Sequence, residues 1–133
     1  MQLVTYLNYN GRCKEAFEFY ADVLGGKIET MFPYAGSPAE AQAPTGWGDK
    51  IMHARMTVGE ATLMGADGPP QHYTPPNGFA VTIQLKGRDE GERIFNRLAE
   101  GGTIQAPFEK TFWAAGFGMC LDKFGIPWMV NCE

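Results

Sequence analysis

The 133-residue chain has few cysteines, few histidines and no long apolar run, and each shortage closes off a class of function. Its three cysteines, Cys13, Cys120 and Cys132, are too few and too irregularly spaced for a disulfide framework or a zinc knuckle. They are expected as reduced thiols filling small core positions. Cys120 and Cys132 fall on the two arms of one predicted hairpin, which sets Cys120 opposite about Pro127, so the two thiols do not face each other. No stretch approaches the length needed to span a bilayer, and the opening MQLVTYLNYN lacks a basic region followed by an apolar one. The expectation is a cytoplasmic protein with no membrane partner. Basic clusters are missing too, with 11 Lys and Arg against 15 Asp and Glu and a net charge of −4. Phosphate neutralisation needs clustered cations, so a nucleic-acid partner is not expected. There is also no phosphate-cradling glycine loop, no nucleophile elbow and no carboxylate pair spaced to share one face of a cleft.

What is present is the composition of a globular protein, 44% hydrophobic and 20% charged, at a length suited to one domain, 1–133. A faint internal repeat divides it. Gly11 aligns with Gly87, Phe19 with Phe95, Gly25-Gly26 with Gly101-Gly102 and Ile28 with Ile104, all at an offset of 76 residues. Module one is read as about 1–66, the linker as 67–77 and module two as about 78–133.

In module one, Leu3 to Tyr9 is rich in aromatic and β-branched residues and reads as a strand. Asn10 is a candidate cap for a helix whose apolar stripe is Ala16, Phe19, Tyr20, Val23 and Leu24. Gly25 ends that helix in the left-handed conformation, and a strand from Lys27 to Phe32 follows. Pro33 to Asp49 has no sustained period and is a long connection, with one helical turn near Ser37 to Gln42. Ile51 to Val58 alternates, placing Met52, Ala54, Met56 and Val58 on one face and Ile51, His53, Arg55 and Thr57 on the other. Gly59-Glu60 turns the chain into Ala61 to Met64.

Gly65 to Asn77 contains four prolines and is a stiff linker. Module two repeats the pattern: a strand at Phe79 to Leu85, a capping box at Asp89 and Glu92, and a helical stripe of Ile94, Phe95 and Leu98. Strands at Thr103 to Phe108, Ala115 to Leu121 and Ile126 to Cys132 complete it, with the turn Asp122 to Gly125 between the last two.

The segments YLNYNGRCKEAFEFYADVLGG (Tyr6 to Gly26) and KTFWAAGFGMCLDKFGIPWMVN (Lys110 to Asn131) resemble the PhnB-like family of the glyoxalase, bleomycin-resistance and dioxygenase superfamily, the vicinal oxygen chelate fold. The resemblance implies an α+β fold of two βαβββ modules, each curving its sheet into a half-barrel, and it implies a homodimer. Members of the superfamily that use a metal carry a His, Glu or Gln ligand on the first and last strand of each module, where a divalent ion chelates vicinal oxygens. Carried onto this sequence, those positions are Thr5, Met64, Ala80 or Thr82, and Met129. A register error of one would give Tyr6, Leu63, Val81 or Trp128 instead. None is a competent ligand for a hard or borderline divalent ion, so no metal or other cofactor is expected.

Among the remaining candidates, His53 and Arg55 share a strand face. Should the opposite face pack under a helix, they line the concave side and could bind an anion or exchange a proton. They could equally be ordinary polar residues on a solvated strand, since no carboxylate partner stands at a fixed spacing. His72, beside Tyr73 in the proline-rich linker, is expected to be solvated. Trp113, Phe117, Met119 and Trp128 could floor an apolar small-molecule pocket, or belong to the core or a dimer interface. These choices define the leading expectation: a dimeric, metal-free protein binding a small organic molecule in an apolar cavity, with Thr5, Met64, Thr82, Trp113, Phe117, Trp128 and Met129 as its contacts. The alternatives are a small lyase- or dioxygenase-type enzyme, using a divalent metal held by His53 or Glu60 or a His53-centred acid-base site, and a dimeric interaction module. Methyl transfer is not expected, because no glycine-rich motif for a methyl donor is present.

Overall fold

Two periodicities, 2 and about 3.6, build the same βαβββ unit twice. The computed structural model describes residues 1–133, and the chain divides into a first unit, Met1–Thr74, and a second, Pro75–Glu133. The first unit runs β1 (Thr5–Tyr9), α1 (Cys13–Leu24), β2 (Lys27–Pro33), β3 (Ile51–Val58) and β4 (Ala61–Asp67). Its sheet has the order β1-β4-β3-β2, with β1 parallel to β4 and the other pairs antiparallel. The second unit runs β5 (Val81–Leu85), α2 (Arg88–Ala99), β6 (Thr103–Glu109), β7 (Gly116–Leu121) and β8 (Pro127–Cys132), in the order β5-β8-β7-β6 with β5 parallel to β8. The α+β class and the doubled βαβββ plan expected from the sequence are both present.

In each unit the helix covers one face of its sheet, and alternation decides which side chains it covers. Cys13, Ala16, Phe17, Tyr20 and Val23 are the buried side chains of α1, and they meet Leu7, Tyr9, Ala54, Met56 and Leu63 from the strands. The stripe thus runs through Phe17, while Phe19 and Leu24 stay half-buried. Phe17 wins because Gly65 opens a place for its ring: a Cβ on Gly65 would stand 2.8 Å from Phe17 Cε1. The second unit uses the same device: a Cβ on Gly118 of β7 would stand 2.7 Å from the Phe95 ring, and one on Gly91 of α2 would overlap the Cys132 sulfur. Burying one such ring contributes about 1.5–3 kcal/mol.

Helix starts differ from the expectation. Neither Asn10 nor Asp89 caps a helix by its side chain: α1 starts after Arg12 and α2 after Gly87, both without a side-chain cap. The orphan N–H groups of α1 are met from a distance. Asp67, at the end of β4, accepts hydrogen bonds from the amides of Gly11 and Cys13 (2.9 Å each) on Oδ1, and from Ile51 (2.8 Å) on Oδ2. Asp67 is therefore a strand residue that locks helix to sheet, and β4 runs three residues beyond the predicted Met64. The helix ends agree with the repeat, for Gly25 and Gly101 both take left-handed φ values, 68° and 73°.

The β7–β8 turn closes as expected at Asp122 to Gly125, where the Gly125 amide donates to the Asp122 carbonyl at 2.9 Å. Its register is offset by one from the sequence reading: Leu121 pairs with Pro127, and Cys120 with Trp128. All three cysteines are free and buried.

Candidate functional site

The faces not covered by the helices carry the candidate chemistry, and parity assigns their residues. On β7, Gly116, Gly118 and Cys120 point at α2, so Phe117, Met119 and Leu121 point the other way. On β8, Trp128, Val130 and Cys132 are buried, which turns Met129 and Asn131 to the open face. Thr82 of β5 pairs with Met129, and its hydroxyl lies 3.7 Å from the Met129 sulfur. Met119 pairs with the same Met129 from the other side.

Of these, Met119 and Met129 floor a groove of about 450 Å³, walled by Pro76, Phe79, Ala80, Leu121 and Pro127, with Asn77 and Gln105 also in its lining. Most of the lining side chains are apolar, and Asn77 and Gln105 are the polar ones among them, a combination typical of small-molecule sites. Beside it, Trp113 stacks edge-on against Phe117 (5.3 Å between centroids) and donates its indole N–H to Asn131 Oδ1 at 3.1 Å. Trp113, Phe117, Thr82 and Met129 therefore share the open side of one sheet.

Trp128 does not join them. It is 1% exposed, and its indole N–H donates to Asp122 Oδ2 at 2.9 Å. That carboxylate also accepts the amides of Phe124 and Ile126 on Oδ1. Trp128 is thus a core side chain anchoring the turn, because its parity is that of Val130 and Cys132. The sequence candidates also missed Leu121, Pro127 and Phe79. The signal was available in GFGMCL: two glycines at i and i+2 mark the helix-facing parity and assign the alternate residues to the open side.

On the first unit, the open face holds Tyr6, Met64, His53 and Arg55. Ala54 and Met56 pack under α1 as the alternation predicts, so His53 and Arg55 do lie opposite the helix. Thr5 does not accompany them: it pairs with Leu63 and has the parity of buried Leu7, whereas Tyr6 pairs with Met64. The phenol of Tyr6 reaches across to His53, joining Oη to Nδ1 at 3.1 Å, with the rings stacked 5.9 Å apart. Burial pushes the Tyr6 phenol up, with Cys13 and Tyr34 adding to the effect, so Tyr6 stays protonated and able to donate. Glu60 sits in the exposed turn after β3, while His53 lies five residues before the end of that strand. At 3.4 Å per residue this is roughly 17 Å of strand, so the two cannot share an ion. His72 is exposed in the short turn Pro70–His72.

The metal positions of the superfamily can be tested against the residues present. On the open faces they are Tyr6 and Met64 in the first unit and Thr82 and Met129 in the second: a phenol, a hydroxyl and two thioethers. No three His, Cys, Asp or Glu side chains gather closely enough to hold an ion. Soft, uncharged thioethers are poor partners for a hard or borderline divalent cation, so these residues do not fit the group.

The doubled βαβββ unit with its open-faced mixed sheets has the architecture of the glyoxalase and bleomycin-resistance fold. It shares that fold, and the fold alone, with solved structures under 25% identical, among them a glyoxylase/bleomycin resistance protein/dioxygenase domain from Frankia sp. EAN1pec and the fosfomycin resistance protein FosX of Listeria monocytogenes. The chain belongs to the PhnB-like family, whose model, described as 3-demethylubiquinone-9 3-methyltransferase, matches residues 1–131. Protein YjdN of Escherichia coli (strain K12) is 33% identical over 139 aligned residues, covering 98% of this chain and 95% of that one. The crystal structure of protein PA1353 from Pseudomonas aeruginosa has a TM-score of 0.92 at 48% identity, covering 100% of this chain and 98% of the other. A putative 3-demethylubiquinone-9 3-methyltransferase, PhnB protein, from Bacillus cereus has a TM-score of 0.84 at 21% identity, with all of both chains covered. No helix is long and apolar enough to cross a membrane.

Proposed function

We propose that this PhnB-like protein binds a small, largely apolar organic molecule in the groove of its second unit, and does so without a metal. The observation that carries the reading is the lining: Met119, Leu121, Pro127 and Met129 form a continuous apolar floor, edged by the amides of Asn77 and Gln105. Methionine side chains are flexible and polarizable, so two of them side by side suit a ligand that is flat or irregular. The two amides would orient one or two polar atoms of that ligand. Binding of this kind draws on burial and shape and needs no fixed set of metal ligands.

The test uses the neutral dye Nile red as probe, with native mass spectrometry and elemental analysis of the freshly purified protein. Wild type is expected to enhance the dye's fluorescence saturably. Met129→Glu, which sets a charge in the groove floor, should weaken that binding by roughly ten-fold or more while the circular dichroism spectrum stays native. An organic adduct in the native mass spectrum would name the ligand class. Equal dye binding by both proteins, or one divalent ion per chain after purification, would overturn the reading.

A further inference from the structure

The open face of the first unit differs in kind from the groove, and it carries a cation with nothing to neutralise it. Arg55 is half-buried in the middle of β3, yet its guanidinium has neither an ion pair nor a hydrogen-bond partner. Every other charged group on that face is accounted for. Glu29, displaced by the irregularity between Ile28 and Thr30, is taken by Lys27 at 3.7 Å and by the Thr57 hydroxyl at 3.3 Å. The remaining neighbours are uncharged: Thr30 and Met64 flank Arg55 in its cross-strand row, and Tyr6 follows Met64. In the adjoining row Phe32 pairs with His53, and the uncharged pair Ala66 and Asn8 continues it.

A guanidinium presents five N–H donors in a planar fork that matches two oxygens of a carboxylate or phosphate. Two residues along the same strand, and so on the same face, stands His53, its ring held in place by the Tyr6 hydroxyl. The hydrogen bond at Nδ1 leaves Nε2 as the free edge of the imidazole. When Tyr6 donates to Nδ1, the neutral tautomer carries its proton on Nε2, and a second donor is then available beside the Arg55 fork. Tyr6 is 45% exposed, so a ligand has access to the pair from solvent.

We infer that Arg55, with His53 positioned by Tyr6, forms an oxyanion-binding site on the open face of the first unit, for a small molecule carrying a carboxylate or phosphate group. The site is independent of the groove reading, since none of its residues lines that groove. Arg55 supplies the charge and the fork, His53 adds a directed donor, and Tyr6 is a positioning residue that acts through His53.

The experiment is an NMR titration of the two imidazole side chains, His53 and His72, assigned with a His72→Gln variant. Inorganic phosphate and sodium acetate are added separately at fixed ionic strength and pH, with sodium chloride as control. His53 is expected to shift saturably with phosphate, acetate or both, and His72 is expected not to. Saturation by acetate points to carboxylate ligands, and saturation by phosphate alone to phosphate esters. Arg55→Gln should abolish saturation, and Arg55→Lys, which keeps the charge but loses the fork, should weaken it by about ten-fold. Tyr6→Phe should leave the Arg55 contact in place but weaken binding several-fold and move the resting His53 resonances. Shifts that match the chloride control, or that survive unchanged in either folded Arg55 variant, would overturn the site. A groove variant such as Met129→Glu should leave these titrations unaltered, which separates failure here from failure of the groove reading.

Discussion

The two units share one topology and present two different open faces. In the first, β1, β3 and β4 turn Tyr6, His53, Arg55 and Met64 away from the helix. In the second, the matching strands turn out Thr82, Met119, Leu121 and Met129. The helix-covered sides, by contrast, share their devices: a phenylalanine ring over a strand glycine, a left-handed glycine after the helix, and a buried aspartate that accepts backbone amides. Packing constrains the covered side, so duplication preserves its pattern, while the open side is free to diverge into a polar surface and an apolar groove.

The largest test of this parallel concerns the two buried aspartates. Asp67 joins segments far apart in sequence, through Gly11, Cys13 and Ile51, whereas Asp122 serves Phe124, Ile126 and Trp128 within its own turn. Asp67→Ala is expected to cost on the order of 3 kcal/mol or more, since each orphaned buried donor costs about 1–3 kcal/mol. Asp122→Ala should cost less, because a short turn can open to water. Denaturant titration ranks the two, and equal losses would mean that the aspartates play the same role. Hydrogen exchange should show Asp122→Ala freeing mainly the β7–β8 turn.

A second comparison uses the paired glycines that follow the helices. A Cβ on Gly26 would stand 2.9 Å from the Thr57 carbonyl oxygen, and one on Gly102 would overlap the Leu121 carbonyl. Both obstacles are backbone and cannot rotate away. Gly102→Ala should therefore destabilise more than Gly26→Ala, each by about 1–3 kcal/mol as an overpacking change. Thermal melts of the two variants decide the order.

The smallest expected effect lies with the thiols. Burial pushes Cys120 up to about 11, with Asp122 adding to it, and burial likewise raises Cys13, with Asp67 adding. A raised folded value means that the native state holds its proton where the unfolded chain has released it. The resulting stability is complete below the ordinary thiol value of 9.0 and is lost as pH rises through about 11. Denaturation midpoints should fall modestly across that window, and Cys120→Ser should flatten the fall. At pH 8 both thiols should react with a disulfide reagent far more slowly than in denatured protein. Rapid labelling of the native protein would contradict the burial.

Much of the fold was legible because its signals are local. The strand of Ile51 to Val58, the left-handed Gly25 and the turn at Asp122 each follow from residue types within a few positions. The helix starts were not legible, because the acceptor for α1 is Asp67, which stands 56 residues from Gly11. Phe17 was passed over for Phe19 for a similar reason: its place under the helix is made by Gly65, which only the sheet brings near. Alternation put His53 and Arg55 on one strand face, as the structure has them, but Tyr6 joins them only through the parallel pairing of β1 with β4. Trp128 was assigned to the open side and lies in the core, since one residue of register reverses every side chain of a strand.

The sequence by itself determined the class of fold, the repeat of its units and the family, because period, turn chemistry and the C-terminal signature are written in neighbouring residues. Tertiary structure alone decided which parity faces the helix, and with it the split between core and open face. It also decided that a distant aspartate would cap the first helix and that a phenol would hold an imidazole beside an unpaired arginine. These are contacts between distant segments, and their register is set by packing the helix against one face of the sheet, which no single segment specifies.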